Sequence, residues 1–153
     1  MIMVVTFCGH QSLTNKEEVK AWICSVTEQL ILNGKTVFYL GGYGEFDLTV
    51  KSVLNKHKEK HSHIEIVLIL AYLNSSVAVT EYCYTLYPPI ETVPKRLAIL
   101  KRNEWMIEQS DIVVAYVTHG WGGAAKTLEF AQRKKKQIIL YPPDKEVKKA
   151  KEN

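Results

Sequence analysis

Cysteine is scarce in this chain of 153 residues, and the few thiols are not grouped. Cys8, Cys24 and Cys83 lie far apart without the close spacing of metal ligands, and an odd number cannot pair completely. The sequence therefore argues against a disulfide framework or a zinc site and suits a reducing cytoplasm. Long apolar runs are also missing, since the longest are strand-sized, far short of the roughly 20 residues that a membrane span needs.

Signatures of several enzyme classes and of secretion are absent as well. There is no G-x-S-x-G nucleophile motif, and no Gly-Lys-Ser/Thr follows a glycine loop as a P-loop requires. The first residues, MIMVVTFCGH, have no basic start or cleavage site and predict a strand. We expect a cytoplasmic protein without a membrane segment, a cofactor or a metal. His57, His61 and His63 fit a solvated helix end better than a metal site.

The sequence has the composition of a single globular domain, with 46% hydrophobic and 24% charged residues. Its net charge of +4 is concentrated at one end, because residues 133–153 carry eight Lys or Arg and only three Asp or Glu. We predict one domain over residues 1–142 and a basic tail over residues 143–153. A basic run alone is weak evidence for nucleic acid, which is therefore not the expected partner.

Apolar strand-like runs alternate with helical patterns along the chain. Strands are predicted at 2–7, 36–40, 64–70, 112–117 and 137–140, and helices at 14–34, 44–60, 94–109 and 123–135. The first helix has a possible capping box, Thr14 and Glu17. Alternation of this kind predicts an α/β fold with about five parallel strands, covered by helices on both faces. The tyrosine-rich connection 71–93 is either a cover for the sheet edge or a lid or interface element, and residues 81–87 predict a short helix.

Glycine-containing loops follow three of the predicted strands. They are Cys8-Gly9-His10, Gly41-Gly42-Tyr43-Gly44 with Asp47 close behind, and Thr118-His119-Gly120-Trp121-Gly122-Gly123. The carboxyl ends of parallel strands share one edge of a sheet, where ligands bind beside the switch in strand order. The sequence thus predicts that these three loops form one binding site.

The last of these loops opens a helix, and this favours an anion. Free backbone N–H groups and the helix dipole at Gly122 and Gly123 form a ready site for phosphate. Arg102 would add a charge-assisted contact to the same group. Glu129 follows about two turns into the helix. The stretch predicts a nucleotide-like ligand and leaves open whether that ligand is cleaved.

Three segments resemble the SLOG superfamily, and more closely its small stand-alone bacterial members. The matching segments are TFCGH at 6–10, YLGGYGEFD at 39–47, and RNEWMIEQSD to THGWGGAAKTLEFA within 102–131. The superfamily includes the cytokinin-activating phosphoribohydrolases and the DNA-processing protein DprA. The resemblance implies a Rossmann-like, doubly wound sheet in the order 3-2-1-4-5, a pocket for nucleotides or their derivatives, and a homo-oligomer, most simply a dimer.

Some positions of the family motifs match this sequence and others do not. The phosphoribohydrolase motifs match Arg102, Met106 and Ser110-Asp111, and then Gly122, Gly123 and Glu129. The chain departs from them at Trp121, Ala125 and Lys126, which replace a proline, a glycine and a threonine, although Thr127 is adjacent. The second arginine of the family falls on Trp105. The nucleotide-binding part of the motif is therefore better matched than the catalytic part.

We interpret the chain as a domain that binds or senses a nucleotide or an NAD-derived small molecule. The residues predicted to bind the ligand are Gly9, His10, Gly41, Gly42, Tyr43, Gly44, Asp47, Arg102, Asn103, Thr118, Trp121, Gly122, Gly123 and Thr127. Among them, Asn103, Thr118 and Asp47 would bind ribose hydroxyls, and His10, Tyr43 and Trp121 would line or stack on the base. The first alternative is an N-glycosidic hydrolase of a nucleoside monophosphate, with Glu129 and Arg102 as catalytic residues. The second is DprA-like binding of nucleic acid.

Overall fold

The computed structural model describes residues 3–74 and 79–142, in which strands and helices alternate. The strands in this part are β1 Val4–Gly9, β2 Val37–Leu40, β3 Glu65–Ile69, β4 Tyr84–Leu86, β5 Ile112–Tyr116 and β6 Gln137–Leu140. The helices are α1 Lys16–Leu32, α2 Gly44–Lys58, α3 Ala98–Gln109 and α4 Gly123–Arg133. A short 3-10 turn, Lys95–Leu97, leads into α3. The predicted basic tail, residues 143–153, lies outside the described residues.

The strands form one parallel sheet in the order β4-β3-β2-β1-β5-β6. Central β1 pairs with β2 on one side, where Val5 is opposite Phe38, and with β5 on the other, where Thr6 is opposite Val113. The five predicted strands and their order are confirmed, as is the Rossmann-like α/β class. Because the chain winds outward from β1 in both directions, the switch in strand order lies between β1 and β5.

The sixth strand, β4, corrects the expectation of a short helix at residues 81–87. Tyr84 pairs with Val67 and Leu86 with Ile69, so β4 extends the sheet beyond β3. The physical reason is that the outer edge of β3 would otherwise present unpaired backbone groups. The predicted capping box is wrong as well: α1 follows Asn15 without a capping side chain, and its first turn is held by Val19 N–H donating to Asn15 O at 2.9 Å.

Helices cover both faces of the sheet, which explains the continuous apolar strands. On one face, Ile23 of α1 and Leu54 of α2 join a core cluster with Phe38. On the other face, α3 and α4 pack against the sheet, and Leu128 of α4 shares a cluster with Val113. No helix among the described residues is long and apolar enough to cross a membrane. This arrangement leaves the carboxyl edge of the sheet to the connecting loops.

Candidate functional site

A cavity of about 550 Å³ lies at the carboxyl ends of β1, β2 and β5, beside the switch in strand order. Its volume falls within the range of roughly 300–1,000 Å³ that is usual for small-molecule sites. Twelve residues predicted from the sequence line it: Gly9, His10, Gly41, Tyr43, Asp47, Arg102, Asn103, Thr118, Trp121, Gly122, Gly123 and Thr127. The three glycine loops therefore line one cavity, as their positions after parallel strands indicate.

Three predicted residues do not line this cavity. Gly42 and Gly44 belong to the β2–α2 loop and have positive φ angles of 83° and 87°, so they shape the loop. Glu129 is exposed on α4. It follows Thr127 by two residues, which turns its side chain by about 200° around the helix from the face that borders the cavity.

One peptide unit of the β2–α2 loop is bound from two sides. Asp47 accepts hydrogen bonds from Gly41 N–H and Gly42 N–H, both at 3.0 Å, through Oδ2. Arg102 donates from Nη1 to Gly41 O at 3.0 Å and to Ile69 O at 2.9 Å. A Cβ at Gly41 would lie 2.9 Å from Arg102 Cζ, so any other residue there would displace the guanidinium from its hydrogen bonds. The charged pair therefore fixes the loop, and the N–H groups of this turn are already bonded.

Burial dominates the electrostatics of Asp47 and Arg102. Desolvation raises the pKa of Asp47 to about 6, against the opposing effects of Arg102 and of the hydrogen bonds from Gly42 and Gly41. Desolvation likewise lowers the pKa of Arg102, against the attraction of Asp47 and of Tyr43 and Tyr72. Arg102 stays positive throughout the neutral range, and Asp47 is mostly ionised at pH 7. Their charges largely offset each other within the site.

The loop between β5 and α4, residues 117–122, packs against the end of β1. Thr118 N–H donates to His10 Nε2 at 2.8 Å, and His10 N–H donates to Tyr116 O at 3.3 Å. The His10 ring stacks on His119 with centroids 3.8 Å apart, and His119 stacks on Trp121 at 3.7 Å. Trp121 is 70% exposed. An aromatic column thus runs from the end of β1 to the mouth of the cavity.

The amino end of α4 faces the same space. Gly122, with φ +91°, turns the chain into the helix, and a Cβ on Gly122 or Gly123 would meet nothing within 4 Å. Gly122, Gly123 and Ala124 all line the cavity. First-turn N–H groups have no partner within their helix, so they are available to an anion. The hydroxyl of Thr127 donates its proton within α4, to Gly123 O at 2.9 Å.

The lining is nearly neutral. Among the described residues of the lining, only Arg102 carries a permanent positive charge and only Asp47 a carboxylate. Cys8 also lies there, but burial, with a smaller contribution from Asp47, raises the pKa of its thiol to about 12. A protonated thiol is a poor nucleophile. The lining therefore combines the first-turn N–H groups of α4 with polar side chains and aromatic rings.

Sequence reasoning missed several lining residues. They are Phe7, Cys8, Gln11, Ser12, Thr14, Ile99, Met106, Tyr116, His119 and Ala124. His119 and Ala124 stand beside predicted site residues in the same loop and helix start, so the position after β5 was an available signal. Ile99 and Met106 share a helix with Arg102. Ile99 lies three residues before Arg102 and Met106 four residues after it, so the helical period, which puts them on one face, was an available signal.

Comparison with known proteins shows similarity of fold. No family model matches the chain, and no curated protein matches it. The structure of TM1055 superposes with a TM-score of 0.63 and 16% identity over 90% of this chain and 73% of that chain. The molybdenum cofactor carrier protein of Chlamydomonas reinhardtii gives 0.65 and 14% over 98% and 82%. DNA processing protein A of Streptococcus pneumoniae gives 0.66 and 11% over 92% and 50%, so this chain spans half of it.

Proposed function

We propose that this protein is a SLOG-type domain that binds a nucleotide or an NAD-derived small molecule. The observation that carries the proposal is a single cavity in which the amino end of α4 and the aromatic column open beside the switch in strand order. A phosphate suits the first feature and a planar base suits the second. The motif resemblance and the similar solved folds support the same class.

In this proposal, different parts of the cavity wall bind different parts of the ligand. A phosphate would lie at the N–H groups of Gly123 and Ala124, where the α4 dipole adds partial positive charge. The exposed ring of Trp121 offers its outer face to a base, since its inner face covers His119. Asn103 and Thr118 are polar residues of the same lining and would bind ribose hydroxyls. Arg102 adds positive potential to the lining, and its Nη1 and Nε atoms donate to internal partners.

Placement of the acidic groups favours binding over cleavage. A glycosidic hydrolase needs a carboxylate beside the scissile bond. Glu129 is exposed and is not part of the lining, and Oδ2 of Asp47 is occupied by two backbone N–H groups. The near-neutral cavity likewise offers no run of cations for a nucleic-acid backbone, which binds chiefly through such charges. A small ligand bound intact therefore fits the described residues best.

Calorimetry with AMP, ADP-ribose and NAD tests this proposal. Gly123→Asp places a carboxylate where the phosphate would lie, and an acid in the first turn is compatible with the helix dipole. Gly120→Asp is the matched control, since it adds the same charge to the same loop outside the lining, in open space. We expect at least one of these compounds to bind the parent, Gly123→Asp to abolish binding, and Gly120→Asp to preserve it. Absence of binding to the parent, or equal affinity in both variants, would overturn the proposal.

A further inference from the structure

His10 is the residue through which the end of β1 holds the β5–α4 loop. Its ring nitrogen Nε2 accepts the 2.8 Å hydrogen bond from Thr118 N–H, although the two residues are 108 positions apart. A backbone N–H can only donate, so Nε2 has to be unprotonated for this bond to exist. The neutral ring therefore carries its proton on Nδ1.

The ring stack adds a second constraint on the same imidazole. His10 and His119 are nearly parallel, with an interplanar angle of 10° and a centroid distance of 3.8 Å. Two neutral rings stack readily at this distance, whereas two imidazolium rings repel each other. Protonation of His10 would thus replace its acceptor with a donor facing Thr118 N–H, and would set positive charge against the His119 ring. Both changes oppose the observed packing of the loop.

We infer that His10 is a positioning residue whose neutral imidazole holds the β5–α4 loop in place, and that protonation of His10 releases the loop and weakens ligand binding at the start of α4. The loop carries Trp121 and Gly122, so its position sets both the stacking face and the turn into α4. The loop-holding role rests on geometry alone. Its consequence for ligand affinity rests on the function proposed above.

The surroundings of His10 agree with this role. Burial, and secondarily His119, lowers the pKa of His10 below its ordinary value of 6.5. The titratable and charged groups around the cavity are Cys8 on β1, Tyr116 on β5, His119 on the loop, Tyr43 before α2, Asp47 on α2 and Arg102 on α3, and the α4 residues of the lining add none. When the loop is released, the pKa of His10 returns to its ordinary value, so the released form binds a proton at a higher pH than the bonded form. The loop conformation that is bonded to His10 is fully favoured above pH 6.5. It becomes less favoured as the pH falls through the lowered pKa of His10.

Two substitutions distinguish the contribution of the hydrogen-bond acceptor of His10 from the contribution of its ring. His10→Gln supplies a carbonyl oxygen near the position of Nε2 that does not titrate, whereas His10→Phe keeps a ring for the stack but has no acceptor. His119→Phe is the matched control, because it preserves a ring between His10 and Trp121 and leaves the acceptor in place. The backbone N–H of Thr118 and the ring nitrogens of His10 report the bond directly in ¹H–¹⁵N NMR spectra, without any ligand.

In the parent we expect the Thr118 signal to titrate together with His10, with a midpoint below the ordinary histidine value. His10→Gln should keep the bonded Thr118 signal and lose its pH dependence. In His10→Phe the Thr118 signal should be that of the unbonded N–H at every pH. In His119→Phe the Thr118 signal should still change with the protonation of His10. A Thr118 signal that ignores His10 protonation, or one that titrates unchanged in His10→Gln, would overturn the positioning role.

Affinity for ADP-ribose measures the functional consequence. This diphosphate is preferable to AMP because a phosphate monoester itself titrates near pH 6. Between about pH 7.5 and about pH 5 the parent should lose affinity by about threefold to tenfold, the equivalent of one hydrogen bond, while His10→Gln stays constant. Equal losses in the parent and His10→Gln would disprove the link to binding. If ADP-ribose fails to bind at any pH while the NMR result holds, the ligand assignment fails and the loop-holding role stands.

Discussion

Asp47 and Arg102 bind the two ends of one peptide unit: Asp47 Oδ2 accepts from Gly42 N–H at 3.0 Å, and Arg102 Nη1 donates to Gly41 O at 3.0 Å. Neither side chain can move toward a ligand without breaking hydrogen bonds to the backbone, which are buried for Arg102 and partly buried for Asp47. The arginine that the sequence motif assigns to phosphate is thus also a structural element of the site. Its substitution should affect folding as well as binding.

Replacement of Arg102 by alanine should lower the free energy of unfolding by about 3–5 kcal/mol. The substitution leaves Gly41 O and Ile69 O without their donor and Asp47 without its nearest positive charge. Urea unfolding followed by circular dichroism measures the effect. Lys101→Ala is the control, because Lys101 is exposed and its ion pair with Glu104 is worth at most about 1 kcal/mol. Similar losses in both variants would contradict the structural role of Arg102.

Asp47 should make stability fall as the pH rises through about 6. Its pKa is about 6 in the folded chain against 3.8 for the free side chain, so the folded state binds the extra proton between these values. By linkage, ionisation of Asp47 then costs folding on the order of 1–3 kcal/mol above that window. Asp47→Asn should flatten this part of the stability profile between about pH 4 and about pH 7. Glu59→Gln, which removes an exposed acid after α2, should leave the profile unchanged.

Two adjacent glycines at the start of α4 should respond oppositely to alanine. Both have open space where a Cβ would lie, but only Gly122 has a positive φ, +91°. Gly122→Ala should destabilise the protein by about 1–3 kcal/mol, because φ +91° with ψ 177° is a backbone region that is essentially restricted to glycine, whereas Gly123→Ala should be neutral or stabilising by up to about 1 kcal/mol. Thermal unfolding of the two variants measures the difference. Equal shifts would mean that the turn at Gly122 is not the one described.

Much of the architecture was predictable because it follows from local patterns. Apolar runs and glycine loops predicted the parallel sheet and the edge on which the site lies, since strand ends meet by topology alone. Strand β4 was not predictable, because its three residues at the edge of the sheet lack a long apolar run. The contact between His10 and Thr118 joins distant segments, and no spacing encodes it. Burial of Arg102 also escaped prediction, because arginine is mostly exposed in proteins.

The protein should assemble as a homo-oligomer, most simply a two-fold dimer. Leu73 is 73% exposed in the tyrosine-rich connection, and we expect it to lie in the contact between the two copies. Light scattering across micromolar concentrations should give twice the chain mass of 17.5 kDa. A mass of one chain throughout would exclude the dimer. Leu73→Asp should shift the equilibrium toward the monomer, whereas Leu32→Asp, an equally drastic change at an exposed site on α1, should not.

Glu129→Gln distinguishes binding from hydrolysis. Glu129 is exposed and lies outside the lining, so removal of its charge should change the affinity for AMP or ADP-ribose by less than about twofold. The same variant should leave unfolding unaffected within about 0.5 kcal/mol, as is usual for a surface position. If the protein were a glycosidic hydrolase that used Glu129, it would release free base from nucleoside monophosphates, and the variant would keep binding but lose turnover. Chromatography for free base, run on the parent and on Glu129→Gln beside calorimetry, separates these outcomes. We expect no free base from either protein. Turnover that depends on Glu129 would show that the protein is an enzyme and not a binding domain.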